Sequence, residues 1–244
     1  MVLALTEYIE KMYRMGRTTN MILYGEPRIG KSVYCIKVLK QLYPAKGEWK
    51  KHVVFRPQQF IAYMNQRLMT GTKSKGVVWD DAGLWLFALD WNDPRVKAVM
   101  KLMQVSGVAT AWLAMTTPAV SMIIKKALNI EGILVGKVMK QSGKSDTQRT
   151  VKIYKNSIAA WGKRYVKQIM EDSYNVMLDN EDYNYYFPMR QQYLQEALTM
   201  LSNAYGIELG TINAVVALAE KKAQEKAEAL KGTVKKAIDG VLTP

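Results

Sequence analysis

Eight consecutive residues, Gly25-Glu26-Pro27-Arg28-Ile29-Gly30-Lys31-Ser32, carry the most specific chemistry in the chain. Two glycines bracket four residues and are followed at once by a lysine and a hydroxyl, the spacing of a phosphate-binding loop. An apolar run, Met21-Ile22-Leu23-Tyr24, precedes them, and a helical pattern over 33–42 follows. In that setting the loop amides and the helix N-terminus turn their partial positive charge toward a polyphosphate. Lys31 reaches the β- and γ-phosphates, and the Ser32 hydroxyl completes the shell of a Mg²⁺ ion. Gly25 and Gly30 supply angles and a close approach that a Cβ would obstruct. The expected nucleotide-binding set is therefore Gly25, Glu26, Pro27, Arg28, Ile29, Gly30, Lys31, Ser32 and Val33, with ATP and Mg²⁺ as cofactors.

Such a loop needs a carboxylate on a second strand. Val77-Val78-Trp79-Asp80-Asp81 offers two. Asp80 stands where a carboxylate binds the metal, and Asp81 where a base orients and deprotonates the attacking water. Alone, a strand ending in two acids is a common solvated turn; its pairing with the loop gives it meaning. Thr116-Thr117 ends a later apolar run, at the carboxyl end of a strand expected beside the first strand and the Asp80 strand. There a hydroxyl could sense the γ-phosphate. The plainer reading, that Thr117 caps the helix after it, stands beside this one.

Positioning these groups takes a regular frame. The pattern predicts a helix over 6–15 with Thr6 as cap, strands over 21–24, 52–55, 77–81, 111–115 and 133–135, and intervening helices over 33–42, 57–69, 94–106 and 118–128. Strands alternating with helices give a mostly parallel sheet with helices on both faces, an α/β fold that with the phosphate-binding loop is of the P-loop NTPase kind. Residues 102–124 hold no charged side chain over 23 positions. Gln104, Gly107 and the Thr116-Thr117-Pro118 break argue for buried core there and against a membrane span. Glu7, Glu10 and Lys11 interrupt any signal-like apolar run, so a cytoplasmic location without membrane attachment is expected.

Composition narrows the chemistry further. The chain has one cysteine, Cys35, and one histidine, His52, which leaves no disulfide, no cysteine zinc cluster and no His-based triad. The net charge is +14, and residues 119–170 alone carry a net +9. A concentration of positive charge suits nucleic acid. Within it, 150–155 alternate as a strand, Trp161-Gly162-Lys163 reads as a hairpin turn, and 164–169 return. Lys152, Lys155, Lys163, Arg164 and Lys167, with Tyr154 and Trp161 among them, suit phosphate contacts plus stacking. A solvated extension of the sheet explains the same pattern equally well. Residues 179–188 read as an acidic, tyrosine-rich loop, 189–205 as a helix, and 211–240 as a final helix with a narrow apolar stripe. Three divisions result: a core over 1–140, a β-hairpin extension over 141–178 and C-terminal helices over 189–240.

Taken together, the loop, the element Val77-Val78-Trp79-Asp80-Asp81-Ala82-Gly83-Leu84-Trp85-Leu86 and the strand ending Thr116-Thr117-Pro118 resemble the small DnaA-like P-loop ATPases of fuselloviruses and plasmids of thermophilic archaea. The resemblance covers about residues 20–200. It implies ATP binding by a RecA/AAA-like core and a role in replicating or maintaining the element's DNA. It also implies a homo-oligomer, in which Arg95, Arg149 or Arg164 could complete a neighbour's site, and a replication partner protein. Arg28 stands where such loops often have glycine, and Asp81 replaces the usual glutamate, so slow or partner-dependent hydrolysis is expected. Neither a sensor 2 arginine motif nor a DnaA-type helix-turn-helix is evident. Two other functions fit the same residues: a genome-packaging or DNA-translocating motor, and a non-hydrolysing module that holds nucleotide and recruits a partner.

Overall fold

The computed structural model describes residues 2–123, 125–128, 132–141, 145–158, 164–204 and 206. Seven strands form one sheet: β1 (Thr19–Tyr24), β2 (Val53–Val54), β3 (Val77–Trp79), β4 (Trp112–Thr117), β5 (Leu134–Lys140), β6 (Gln148–Ile158) and β7 (Arg164–Asn175). Their order is β2-β3-β4-β1-β5-β6-β7. The first five are mutually parallel; β5, β6 and β7 then pair antiparallel. All six residues of β4 are buried, as its continuous apolar run requires of a strand covered on both faces. The helices are α1 (Ala4–Arg14), α2 (Lys31–Leu42), α3 (Pro57–Thr70), α4 (Pro94–Val105), α5 (Lys125–Leu128) and α6 (Asn180–Ala204).

The two faces of the sheet have different covers. Phe60 and Met64 of α3, Met100 and Met103 of α4 and Ala127 of α5 join Ile22, Trp79, Leu113 and Met115 in one buried cluster. On the other face α2 lies over the antiparallel edge, where the Tyr34 hydroxyl donates to Asp172 Oδ2 at 2.6 Å. The result is an α/β fold, a mostly parallel sheet with helices on both faces. The carboxyl ends of the neighbouring strands β1 and β4, whose following helices α2 and α5 lie on opposite faces, are the usual ligand position in an open α/β sheet.

Several elements differ from the sequence reading. Thr6 does not cap α1, whose first residue is Ala4; its hydroxyl donates to Gln41 Oε1 at 2.7 Å. The anion at that N-terminus is Asp172, which accepts from the amides of Ala4 at 2.7 Å and Leu5 at 3.2 Å. The second strand is shortened to two residues because Glu48–His52 coil into a 3-10 turn. Among the described residues no continuous helix follows Thr117. Ala119 is extended, Val120–Met122 form one tight turn, and only α5 is helical. The stretch read as an acidic loop is the start of α6. The Asp179 carboxylate accepts from the Asp182 amide at 2.9 Å, with Glu181 and Asp182 in the favourable first turn. Pro188 is accommodated inside that helix. The hairpin turn at 161–163 and the helix over 211–240 lie outside the described residues. No helix among the described residues is long and apolar enough to cross a membrane.

Two compact units divide the chain, Met1–Tyr183 and Asn184–Pro244. The first holds the whole sheet. In the second, the described part is the remainder of α6 and Gly206.

His52 is a structural residue with a testable signature. Its ring stacks on Tyr43 with centroids 3.7 Å apart, Nδ1 lies 2.8 Å from the Tyr63 hydroxyl, and the residue is 2% exposed. Burial, reinforced by the Arg67 charge, lowers its pKa from 6.5 to about 4. Below pH 6.5 the unfolded chain takes up a proton that the folded chain refuses, so stability falls as pH drops from 6.5 to 4. The loss reaches up to about 3 kcal/mol. Urea denaturation from pH 7 to pH 4 is expected to show this decline, and His52→Gln is expected to flatten it; parallel curves would mean that His52 titrates normally.

Candidate functional site

The site is built where β1, β3 and β4 end together. Register places Tyr24 beside Thr117 and Trp79 beside Met115, so the loop after β1, the acids after β3 and the threonines of β4 converge. The loop itself is shaped by steric demand. Gly25 has φ 152° and Gly30 φ 109°, and an added Cβ would lie 2.8 Å from the Val138 carbonyl oxygen and 2.6 Å from Val176 Cγ1 respectively. Arg28 adopts the left-handed conformation at φ 63°. A side chain there costs on the order of 1 kcal/mol, which explains why glycine is common at this position in similar loops. Lys31 is buried, and its ammonium donates to the carbonyls of Gly25 and Glu26 at 2.8 and 2.9 Å, inside the curve of the loop.

Asp80 is completely buried, and one oxygen of its carboxylate is the hub of the site. Oδ1 accepts from the Ser32 hydroxyl at 2.8 Å and from the Thr116 hydroxyl at 2.7 Å. The Thr116 oxygen in turn accepts from the Asp81 amide at 2.7 Å. Ser32, Asp80, Thr116 and the backbone of Asp81 are thus one connected chain of hydrogen bonds across three elements. Asp81 departs from the strand in the left-handed region, φ 52°, which aspartate tolerates better than most residues. That turn separates two adjacent acids: Asp80 is sealed beneath the loop, while Asp81 is half-buried.

The donor set suits Mg²⁺. Ser32 Oγ and Asp80 Oδ1 are neighbouring hard oxygens, and Mg²⁺ is ordinarily held by one or two carboxylates with water and phosphate oxygens completing its octahedron. Among the described residues no group of three or more His, Cys, Asp or Glu could form an all-protein cage. Cys35 lies fully buried behind the loop, and burial, with Asp80 nearby, pushes its thiol well above the usual value. It is a packed residue, not a nucleophile.

The two threonines part company. Thr116 is committed to Asp80 and Asp81. The Thr117 hydroxyl donates to the Ala119 carbonyl at 3.0 Å, and with the chain extended there it caps no helix. Gly83 passes so close that an added Cβ would sit 2.5 Å from Thr117 Oγ1. A glycine two residues after an acid pair was the only sequence trace of that contact.

The arginines separate as well. Arg95 is exposed and pairs with Asp93 at 2.8 Å. Arg149 is 8% exposed, and its Nε donates at 3.0 Å to the Ile29 carbonyl of its own loop. It therefore serves the site of its own chain. The side chain of Arg164 and all of Lys163 lie outside the described residues.

In the antiparallel ribbon, Lys152 faces Glu171, with Nζ 4.0 Å from a carboxylate oxygen, whereas Lys155 stands directly opposite Lys167. Alternation puts Lys152 and Lys155 on opposite faces of β6. The basic set is thus split rather than gathered on one side.

No family model matches the chain, and no curated protein sequence matches it. Solved structures do resemble it. The N-terminal domain of zonular occludens toxin from Neisseria meningitidis aligns at 10% identity over 69% of this chain and 98% of that one, TM-score 0.39. The genome packaging NTPase of Sulfolobus turreted icosahedral virus 2, in complex with ATP-gammaS, aligns at 13% identity over 62% and 98%, TM-score 0.38. A KaiC-like protein from Pyrococcus horikoshii aligns at 16% over 61% and 89%, TM-score 0.30. These likenesses concern the fold alone.

Proposed function

We propose that the chain binds Mg·ATP on the loop Gly25–Val33, hydrolyses it, and does so in the replication or maintenance of the DNA of a viral or plasmid element, as its resemblance to the DnaA-like ATPases implies. The observation that supports ATP chemistry best is the hydrogen-bonded chain from Ser32 through Asp80 and Thr116 to the Asp81 amide, set at the mouth of a glycine-bounded loop. Mg²⁺, when bound, would neutralise charge on the β- and γ-phosphate oxygens. Ser32 and Asp80 would hold it. Lys31 would exchange the carbonyls of Gly25 and Glu26 for phosphate oxygens. Asp81 would accept a proton from water as the water oxygen attacks the γ-phosphorus and the bond to the bridging oxygen breaks, ADP leaving with the electron pair. Thr116 would fix the two acids relative to each other, and Thr117, whose hydroxyl donates to the Ala119 carbonyl, would exchange that bond to sense the γ-phosphate.

The division into a core over 1–140, a hairpin extension over 141–178 and C-terminal helices over 189–240 belongs to this proposal, as do a homo-oligomer and a partner protein. If an arginine acts on a neighbouring subunit, Arg95 and Arg164 are the candidates, since Arg149 is engaged within its own chain. Turnover of ATP by the full chain, with Mg²⁺ and with or without duplex DNA, tests the proposal. Turnover that depends on Mg²⁺ and rises with DNA is expected; nucleotide binding without any turnover would leave the recruitment module instead.

For DNA, the supporting observation is the Lys155–Lys167 pair. Like charges directly opposite across strands destabilise a ribbon, and a polyanion would relieve the cost. Contacts would be to phosphates, with little dependence on base sequence. The double variant Lys155→Gln/Lys167→Gln is expected to flatten the log–log salt dependence of duplex binding by roughly 1.8 units, at about 0.9 per phosphate contact. An unaltered slope in a salt titration would show this ribbon to be a solvated sheet edge.

A further inference from the structure

We infer that Arg149 and Tyr174, on β6 and β7, are positioning residues that hold the phosphate-binding loop in its binding shape from behind. The inference rests on the ATP-binding reading of that loop and goes beyond it, because neither residue belongs to the loop motif or its two acids.

In the planar peptide unit C=O and N–H point in opposite directions. Whatever pins a carbonyl outward therefore aims the next amide inward. The Ile29 carbonyl accepts from Arg149 Nε at 3.0 Å, which fixes the direction of the Gly30 amide. The Gly30 carbonyl accepts from the Tyr174 hydroxyl at 2.8 Å and from the Tyr34 amide at 3.0 Å, which fixes the Lys31 amide. Gly30 and Lys31 contribute amides at the point where the loop becomes a helix, the position of strongest positive potential for an anion. Two consecutive peptide planes are thus set by side chains about 120 and 144 residues away in sequence.

Both side chains are themselves held rigidly. Arg149 also donates through its terminal nitrogen to the carbonyls of Asp146 and Gln148, so its guanidinium is locked among backbone oxygens. Tyr174 is 5% exposed, and its ring lies 5.1 Å from that of Tyr34. Tyr34 donates to Asp172, which holds the N-terminus of α1. Val176 presses against Gly30 closely enough that only glycine fits. The left-handed Arg28 is stable in this setting because the loop is determined from outside as well as by its own sequence.

Residues that act through the loop should affect nucleotide affinity far more than the chemical step. Binding of the fluorescent analogue mant-ATP with Mg²⁺, together with steady-state ATP turnover, provides the test. Tyr174→Phe removes one hydroxyl and keeps the ring, and is expected to weaken binding about 2- to 10-fold; Arg149→Met is expected to weaken it about 10- to 100-fold. In both, the loss should appear in KM with kcat nearly unchanged, and Arg149→Lys should recover part of it. Unaltered affinity in Tyr174→Phe and Arg149→Met, or a fall in kcat with KM unchanged, would overturn the inference. Should Arg149→Met fail to fold, Tyr174→Phe decides alone. Wild-type chain that binds no mant-ATP would refute the underlying reading of the loop; wild-type binding that is lost in Lys31→Ala but retained in both positioning variants would refute this inference only.

Discussion

Asparagine at position 81 is expected to leave Mg·ATP bound and to slow its turnover by roughly 10²–10⁴-fold, the contribution typical of a general base. The substitution is nearly isosteric, and asparagine accepts the left-handed conformation at φ 52° as readily as aspartate does. The amide of residue 81 would still donate to Thr116, so the hydrogen-bonded chain to Asp80 and Ser32 would persist. Only the ability to take a proton is lost. Single-turnover phosphate release at saturating ATP measures the effect. Unchanged turnover would move the base elsewhere. Loss of nucleotide binding instead would mean that Asp81, not Asp80, holds the metal.

The separation of roles between those two acids shows what the sequence could and could not reveal. The adjacency of Asp80 and Asp81 after an apolar run was legible, and so was their convergence with the loop, because strand–helix alternation dictates a parallel sheet whose carboxyl ends gather. The depth of each acid was not. It depends on a single left-handed residue and on the Thr116 hydroxyl, neither of which leaves a trace in periodicity. Thr116 read as a sensor of phosphate, and in the structure its hydroxyl is bound to Asp80 and the Asp81 amide.

Long-range support was least legible of all. Asp172 caps α1 and anchors Tyr34, Arg149 grips Ile29, and Tyr174 grips Gly30. In sequence Asp172 and Tyr174 fall beyond the stretch 164–169 that read as the returning strand, and Arg149, just before the strand over 150–155, read as a candidate for a neighbour's site; both strands are longer than their alternation showed. Local signals also misled where tertiary partners overrode them. The acidic, tyrosine-rich stretch 179–188 read as a loop, yet Asp179 starts a helix there with its own carboxylate. Lys40 donates to both Asp179 and Asp182, and holds the Asp179 carboxyl down to about 2. Thr117-Pro118 argued for a capped helix, yet Thr117 bonds forward to Ala119 and keeps the chain extended.

Replacement of Lys31 by alanine is expected to weaken ATP binding by about 100-fold or more, since it removes charge-assisted hydrogen bonds to the phosphates and their Coulombic attraction together. The fold should survive. Position 31 opens α2, where alanine is the better helix former, and the lysine's named partners are two carbonyls of its own loop. Asp80 would keep its hydrogen bonds from Ser32 and Thr116. The most direct test of the account is a calorimetric titration of wild-type and Lys31→Ala chains with a slowly hydrolysed ATP analogue, with and without Mg²⁺, after thermal melting has shown both to be folded. The account predicts one Mg²⁺-dependent site per wild-type chain and no measurable site in the variant. Equal affinity in the two folded proteins, or no binding to the folded wild type, would contradict it.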